Sequence, residues 1–310
     1  MQENSSKDRQ GKIIKSLAGF YEVHDGSAVY RCRAKGVFRA LGKKPLVGDD
    51  VMFDITDTVS VPPEGNVTRL LPRRSFLVRP KVANVDQALL LFAITHPAPS
   101  FNMLDRFLIS VDRRDLPAIL CFNKEDLASQ EEKEALLSAY EACGVKVLFI
   151  STYESDSLEP LTKLLQGKTT VLTGPSGAGK SSLINRLCGV RRMETGELSL
   201  KIARGKNTTR HVELLAAGSD TYLVDTPGFT SLDLTGMEAD DLAEYYAEFQ
   251  PYAGNCRFDG CRHFREPDCA VKAAVESGGI SRIRYINYTE LYLELKDRKK
   301  IYRPKDQQIT

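Results

Sequence analysis

Gly174-Pro175-Ser176-Gly177-Ala178-Gly179-Lys180-Ser181 reads G-x-x-x-x-G-K-S, set between the apolar run TTVLT and the helix-like SSLINRLCG. A glycine-rich turn in that position can curl so that successive backbone N–H groups point at one anion. The positive end of the following helix adds to the attraction. The spacing predicts that Lys180 reaches β- and γ-phosphate oxygens, that the Ser181 hydroxyl ligates Mg²⁺, and that Ser182 begins the helix. A chance Lys-Ser after a glycine-rich turn would lack both flanks. The motif alone does not separate ATP from GTP.

Asn123-Lys124-Glu125-Asp126 follows a second apolar run, PAILCF, at what would be the ligand edge of a parallel sheet. Asp126 can accept hydrogen bonds from guanine N1–H and the exocyclic amine. Adenine offers neither donor, and a buried carboxylate left unpaired costs roughly 1–3 kcal/mol. Asn123 is expected to brace this loop and Lys124 to lie along the base plane. A third run, VKVLFI, ends in Ser151-Thr152, where another base-contacting loop belongs.

Asp225-Thr226-Pro227-Gly228 closes the set after the run TYLVD. Asp225 would hold Mg²⁺ through water, and the Gly228 N–H would sense the γ-phosphate. Between these segments lies Gly205-Lys206-Asn207-Thr208-Thr209-Arg210, in which Thr209 is favoured as a Mg²⁺ ligand. Phe229 follows Gly228 where many GTPases carry a Gln that orients the attacking water, so turnover by the isolated chain should be slow. The order of the motifs is unusual, because the N-K-x-D segment precedes the phosphate loop. The same sheet forms if former termini are joined and the chain is cut after Gly228, since domain termini usually lie close together.

Cys256, Cys261, His263 and Cys269 place three thiols and one imidazole within fourteen residues. Three sulfurs and one nitrogen make a closed tetrahedral set for one structural Zn²⁺, with no position left for catalysis. The chain has seven cysteines, an odd number, which speaks against a disulfide framework. Cys32, Cys121, Cys143 and Cys188 are read as small buried hydrophobes.

These groups need a scaffold. GKIIKSLAGFYEV, SAVYRCRAKGVFR and VGDDVMFDI read as short strands of a small β-barrel, with VPPEGNV and LPRR as a turn-rich exit around residues 61–74. ALLLFAI, PAILCF, VKVLFI, TTVLT and TYLVD suit parallel strands buried on both faces, and SQEEKEALLSAYEACG reads as an intervening helix. ADDLAEYYAEFQPY and SRIRYINYTELYLELKDRKK read as helices around the cysteine segment. No apolar run is long enough to span a membrane, and MQENSSKDRQ is no signal peptide, so a cytoplasmic location is expected. The net charge is only +2, but basic residues cluster at 31–44 and 296–305, as a polyanionic partner would require.

The permuted N-K-E-D, G-P-S-G-A-G-K-S, T-T-R and D-T-P-G-F, followed by C-x4-C-x-H-x5-C, resemble the ribosome-small-subunit-dependent GTPases of the RsgA or YjeQ family over essentially the full length. The resemblance implies a multidomain chain: an oligonucleotide-binding β-barrel over 1–72, a circularly permuted α/β P-loop GTPase domain over 73–234, and a helical zinc domain over 235–310. It also implies binding to the small ribosomal subunit and its rRNA, action late in subunit maturation and a GTPase stimulated by the subunit; a monomer is expected. Members commonly carry a His just before the Thr pair as a stand-in for the missing Gln; here that position is Asn207, which can hydrogen-bond to water but cannot take up a proton near neutral pH. His211 is a possible substitute. The alternatives are a GTP-dependent rRNA-binding placeholder with little hydrolysis, and a zinc-dependent scaffold that uses GTP for stability. Replacing Asp126→Asn should turn an acceptor into a donor and shift preference from guanine towards xanthine nucleotides. Unchanged GTP affinity in that variant would refute the base assignment.

Overall fold

The structure is a computed structural model that describes residues 8–36, 38, 44–78, 80–189, 212–225 and 234–298, with only the backbone of Asp225. Near the N-terminus, β1 (Arg9–Leu17), β2 (Phe20–His24), β3 (Val29–Ala34), β4 (Asp50–Asp57) and β5 (Glu64–Leu70) close a barrel in the order β1-β2-β3-β5-β4. Alternation decides which side chains face in. Along β3, Tyr30 and Cys32 are buried while Arg31 and Arg33 face water. Ile13, Val23, Val51, Phe53 and Val67 complete the barrel core. The expectation of a turn-rich exit over 61–74 is corrected here, because β5 lies inside it and pairs with both β3 and β4. Gly65 makes that pairing possible: a Cβ there would collide with the Asp54 carbonyl oxygen.

A short hairpin, β6 (Phe76–Leu77) and β7 (Val82–Ala83), leads into the central sheet. That sheet comprises β8 (Gln87–Ala93), β9 (Ala118–Asn123), β10 (Lys146–Phe149), β11 (Thr169–Thr173), β12 (Leu214–Ala216) and β13 (Tyr222–Asp225), in the order β10-β9-β8-β11-β13-β12. Neighbours are parallel except β12, which pairs antiparallel with β13 at one edge. Sequence reading missed β12, whose three residues are too few for a periodic signal.

The strands are apolar on both faces because both are covered. Leu90, Phe92, Leu120 and Phe122 pack with Phe107 of α1 (Phe101–Asp112) and Leu136 of α2 (Gln130–Tyr140). The alternate residues Leu89, Leu91, Ile119 and Cys121 pack on the other face with Leu161 of α3 (Glu159–Leu165) and Leu183 of α4 (Lys180–Cys188). Burial pushes the Cys32 thiol up to about 12, as befits a core hydrophobe rather than a reactive group. Helix α2 starts at a complete capping box, Ser129 with Glu132.

Past residue 234 the described chain is helical. ADDLAEYYAEFQPY is two 3-10 segments, Ala239–Tyr245 and Ala247–Phe249, and the short α5 (Gln250–Ala253), instead of one regular helix. The backbone breaks at Tyr246 (φ −112°, ψ 87°), whose ring is buried against Phe249 and Tyr288 and whose hydroxyl reaches Asp105. Two further helices follow, α6 (Ala270–Glu276) and α7 (Arg282–Asp297).

This region meets the central domain through a buried charge cluster that sequence reading did not anticipate. Arg284 of α7 donates to Asp105 of α1 at 2.5 Å and to Glu248 at 2.6 and 3.3 Å. Tyr140, Tyr246 and Asn287 fill the remaining acceptor sites of Asp105 at 3.0, 3.2 and 3.0 Å. Burial pushes the Asp105 carboxyl upward against the pull of Arg284, while the two carboxylates hold Arg284 firmly cationic despite its burial. On the opposite side, the barrel touches the sheet where His24 Nδ1 lies 2.9 Å from the Tyr222 hydroxyl and Lys15 pairs with Glu213 at 3.4 Å. His24 appeared without a partner in the sequence because its partner lies 198 residues away.

Candidate nucleotide site and metal centre

The parallel strands deliver three motif segments to one edge of the sheet. The phosphate-loop sequence leaves β11, the N-K-E-D segment leaves β9, and Ser151 follows β10. Three glycines of the phosphate loop have positive φ: Gly174 (144°), Gly177 (81°) and Gly179 (94°). Two of them also lack room for a side chain. A Cβ on Gly174 would strike the Leu91 carbonyl, and one on Gly179 would strike the Asn123 amide. Helix α4 begins at Lys180, two residues earlier than the expected start at Ser182.

Asn123 is almost fully buried and ties the three segments together. Its Nδ2 donates to the Ala178 carbonyl at 2.9 Å, and its Oδ1 accepts from the Thr152 N–H at 3.3 Å. Neighbouring backbone bonds repeat the link, from Glu125 N–H to Ile150 O (3.0 Å) and from Ile94 N–H to Asn123 O (2.9 Å). Ser151 is buried. Its N–H donates to Ser157 Oγ at 2.7 Å, and its hydroxyl accepts from the Tyr153 N–H at 3.2 Å, so the loop is fixed internally.

Lys124 adopts a left-handed backbone (φ 66°), and its ammonium donates to the His96 carbonyl in the loop after β8. Pro97 of the same loop backs Gly177, whose missing Cβ would lie 3.2 Å from the ring. Sequence reading treated His96 as an ordinary residue; its backbone carbonyl carries this link, which no side-chain pattern signals. Glu125 pairs with Lys133 of α2 at 3.1 Å. Asp126 is exposed, not buried as anticipated, so its carboxylate is open to a base arriving from outside. Lys180 Nζ lies 2.7 Å from both the Gly174 and Pro175 carbonyls, spanning the mouth of the loop. The left-handed glycines and the start of α4 thus bring the backbone of the phosphate loop beside one ammonium, an arrangement suited to phosphate. Asn207, Thr209, His211, Gly228, Phe229 and the Asp225 side chain lie outside the described residues.

The second site is the cysteine cluster. The donor atoms of Cys256, Cys261, His263 and Cys269 all lie within 4.8 Å of one another and can hold a metal ion. His263 Nδ1 stands 3.5 Å from Cys256 Sγ and 3.4 Å from Cys269 Sγ, and the two sulfurs are 3.8 Å apart. The loop is held in place by α7, with Tyr285 donating to the His263 carbonyl at 2.9 Å and Tyr288 to the Arg262 carbonyl at 2.5 Å. Glu266 caps it from within by accepting N–H bonds from Arg262, Phe264 and Arg265 at 2.9–3.1 Å.

Known proteins resemble this chain over nearly its whole length. The profile of the RsgA GTPase family matches residues 70–235, and that of the RsgA N-terminal domain matches residues 10–60. A small ribosomal subunit biogenesis GTPase RsgA from Agathobacter rectalis is 47% identical over 301 residues, covering 94% of this chain and 99% of the relative. Among solved structures, YloQ, a circularly permuted GTPase, is 36% identical with a TM-score of 0.74, covering 97% of this chain and 100% of its own. YjeQ from Thermotoga maritima is 30% identical with a TM-score of 0.72, covering 94% and 99%.

Asn123→Ala should leave the Ala178 carbonyl and the Thr152 N–H without their partner, at a cost of about 1–3 kcal/mol. The GDP dissociation constant measured by titration calorimetry should rise roughly 10- to 100-fold. An unchanged constant in a folded variant would show that Asn123 does not organise the site.

Proposed function

The chain belongs to the RsgA family, circularly permuted enzymes that hydrolyse GTP, and from that premise we propose that it acts in late maturation of the small ribosomal subunit, hydrolysing GTP to GDP and phosphate with stimulation by the subunit. The observation that carries the reading is the convergence of three motif loops on the buried Asn123 side chain. In this reading Asp126 accepts both guanine N–H groups, Lys124 lies along the base, and Asn123, Glu125 and Ser151 hold the base loops. Gly174, Pro175, Ser176, Gly177, Ala178 and Gly179 wrap the phosphates, with Ser182 in the first turn of α4.

Lys180 lies against the β- and γ-phosphate oxygens, where charge grows as the terminal P–O bond breaks. Ser181 and Thr209 would ligate Mg²⁺ directly and Asp225 through water; when bound, the ion neutralises charge on those same oxygens. Gly228 senses the γ-phosphate. Asn207 orients the attacking water by hydrogen bonding, which positions it without removing its proton. The departure from Gln at Phe229 makes the subunit the source of most of the rate.

The cysteine centre fits one structural Zn²⁺. Tetrahedral zinc with Zn–S of about 2.3 Å and Zn–N of about 2.0–2.1 Å requires S···S near 3.8 Å and S···N near 3.5 Å. The separations among Cys256, His263 and Cys269, 3.8, 3.5 and 3.4 Å, match these values, and the Cys261 sulfur lies within 4.8 Å of the other three donors. We assign the barrel, over 1–72, and the zinc region, over 235–310, to rRNA contacts on either side of a GTPase domain over 73–234. No described helix is long and apolar enough to cross a membrane. A monomer working in the cytoplasm fits a ribosomal partner.

Elemental analysis should find about one zinc per chain, lost in Cys269→Ser; a folded wild type free of metal would remove the zinc assignment. GTP turnover should be slow alone and should rise on adding small ribosomal subunits, with an effect that fades as salt rises. A subunit-independent rate would leave an ordinary GTPase, and binding without any hydrolysis would leave a GTP-dependent RNA-binding placeholder.

A further inference from the structure

Asp105 collects bonds from four directions. It sits on α1, which begins directly after the loop that carries His96 and Pro97. Its Oδ1 accepts from Tyr140, the last residue of α2, a helix that begins four residues after Asp126. Tyr246 and Asn287 supply Oδ2, and Arg284 supplies the countercharge from α7. The guanidinium is wedged between rings, 4.4 Å from the centroid of Tyr246 and 5.3 Å from that of Tyr140. Asp105 and Arg284 are 0% and 2% exposed.

The packing around this pair interlocks two bodies. Ile109 of α1 belongs to the apolar cluster of the C-terminal region, while Ile283 of α7 packs against the cluster on the sheet face. Both helices that meet at Asp105 run back to the base side of the nucleotide cleft. Helix α1 leads to the loop in which His96 accepts from Lys124 and Pro97 backs Gly177; α2 leads to the Asn123–Asp126 segment. A shift of α7 cannot leave Asp105 in place without separating a buried charge pair, so it must carry α1 and α2 along.

We propose that Asp105 and Arg284 are positioning residues for the nucleotide site: their ion pair lets the C-terminal region set the stance of the two loops on the base side, so that guanine-nucleotide binding and the placement of α7 are coupled. The proposal rests on the nucleotide reading above and assigns its regulation. Glu248 provides the internal control, because it pairs with the same guanidinium but lies on neither of the two helices that lead to the base-side loops.

The test compares Asp105→Asn with Glu248→Gln, each neutralising one of the two carboxylates that pair with Arg284. Both should lower the melting temperature. Only Asp105→Asn should weaken GDP binding, by about tenfold, a coupling of ordinary size. Equal GDP constants for the two variants, whether unchanged or raised, would make the cluster a structural staple and overturn the proposal. Wild-type protein supplies a readout independent of any variant's folding. Linkage requires GDP to slow amide hydrogen exchange in α7, about as much as α7 favours GDP, and unchanged exchange there would overturn the coupling. Wild type that binds no GDP would instead sink the nucleotide reading itself, which separates the two failures.

Discussion

The buried side chain of Asn123 is the constraint from which the ligand edge follows. A primary amide has two faces, and here each is spent on a different loop: the NH₂ on Ala178 of the phosphate loop and the oxygen on Thr152 beyond β10. No apolar residue could hold both, and no longer side chain would fit, because Gly179 already lies against the amide nitrogen. The glycine is therefore explained twice, by its positive φ and by its neighbour. Strands β9, β10 and β11 have to stay in register for the three loops to meet, and the two apolar layers on the faces of the sheet supply that rigidity.

Much of this was legible in the sequence where local chemistry repeats a known physical demand. The phosphate loop, the N-K-x-D segment and the cysteine spacing each specify their geometry within a dozen or so residues, strand patterning gave the barrel, and the order of the motifs gave the permutation. What escaped was non-local or too brief. β5 was read as a turn because Val61-Pro62-Pro63 and Gly65 look like punctuation, although Gly65 serves close strand packing. The Asp105–Arg284–Glu248 cluster joins residues 36 to 179 positions apart, and each of the three looks like an ordinary surface charge in a helical stretch. Asp126 was expected to be buried, yet a base-reading carboxylate must be reachable before the base is there.

The two ends of the central domain are fastened by different physics. Towards the C-terminal region, the contact is a desolvated ion cluster with every acceptor of Asp105 used, so breaking it by removing one partner is costly, roughly 3–5 kcal/mol. Towards the barrel it is mixed: Ile14 and Val47 pack into the apolar cluster on the sheet face, His24 meets Tyr222 with its imidazole pKa lowered by burial against the opposing pull of Asp25, and Lys15 and Glu213 form a half-exposed pair. A pair of that second kind is worth less than about 1 kcal/mol. The permutation thus leaves the buried ion cluster on the side that follows the γ-phosphate segment in sequence.

The barrel joint has another effect. Among the described residues β12 is an edge strand, and the outer side of such a strand offers N–H and C=O groups to any passing chain, the usual starting point for sheet-to-sheet association. The barrel's β1 lies along that side, making a single antiparallel bridge between Lys15 and Glu213 and placing a charge pair over it. The barrel therefore shields the rim of its neighbour's sheet, and the central domain expressed without it would carry a sticky margin prone to self-association in the test tube.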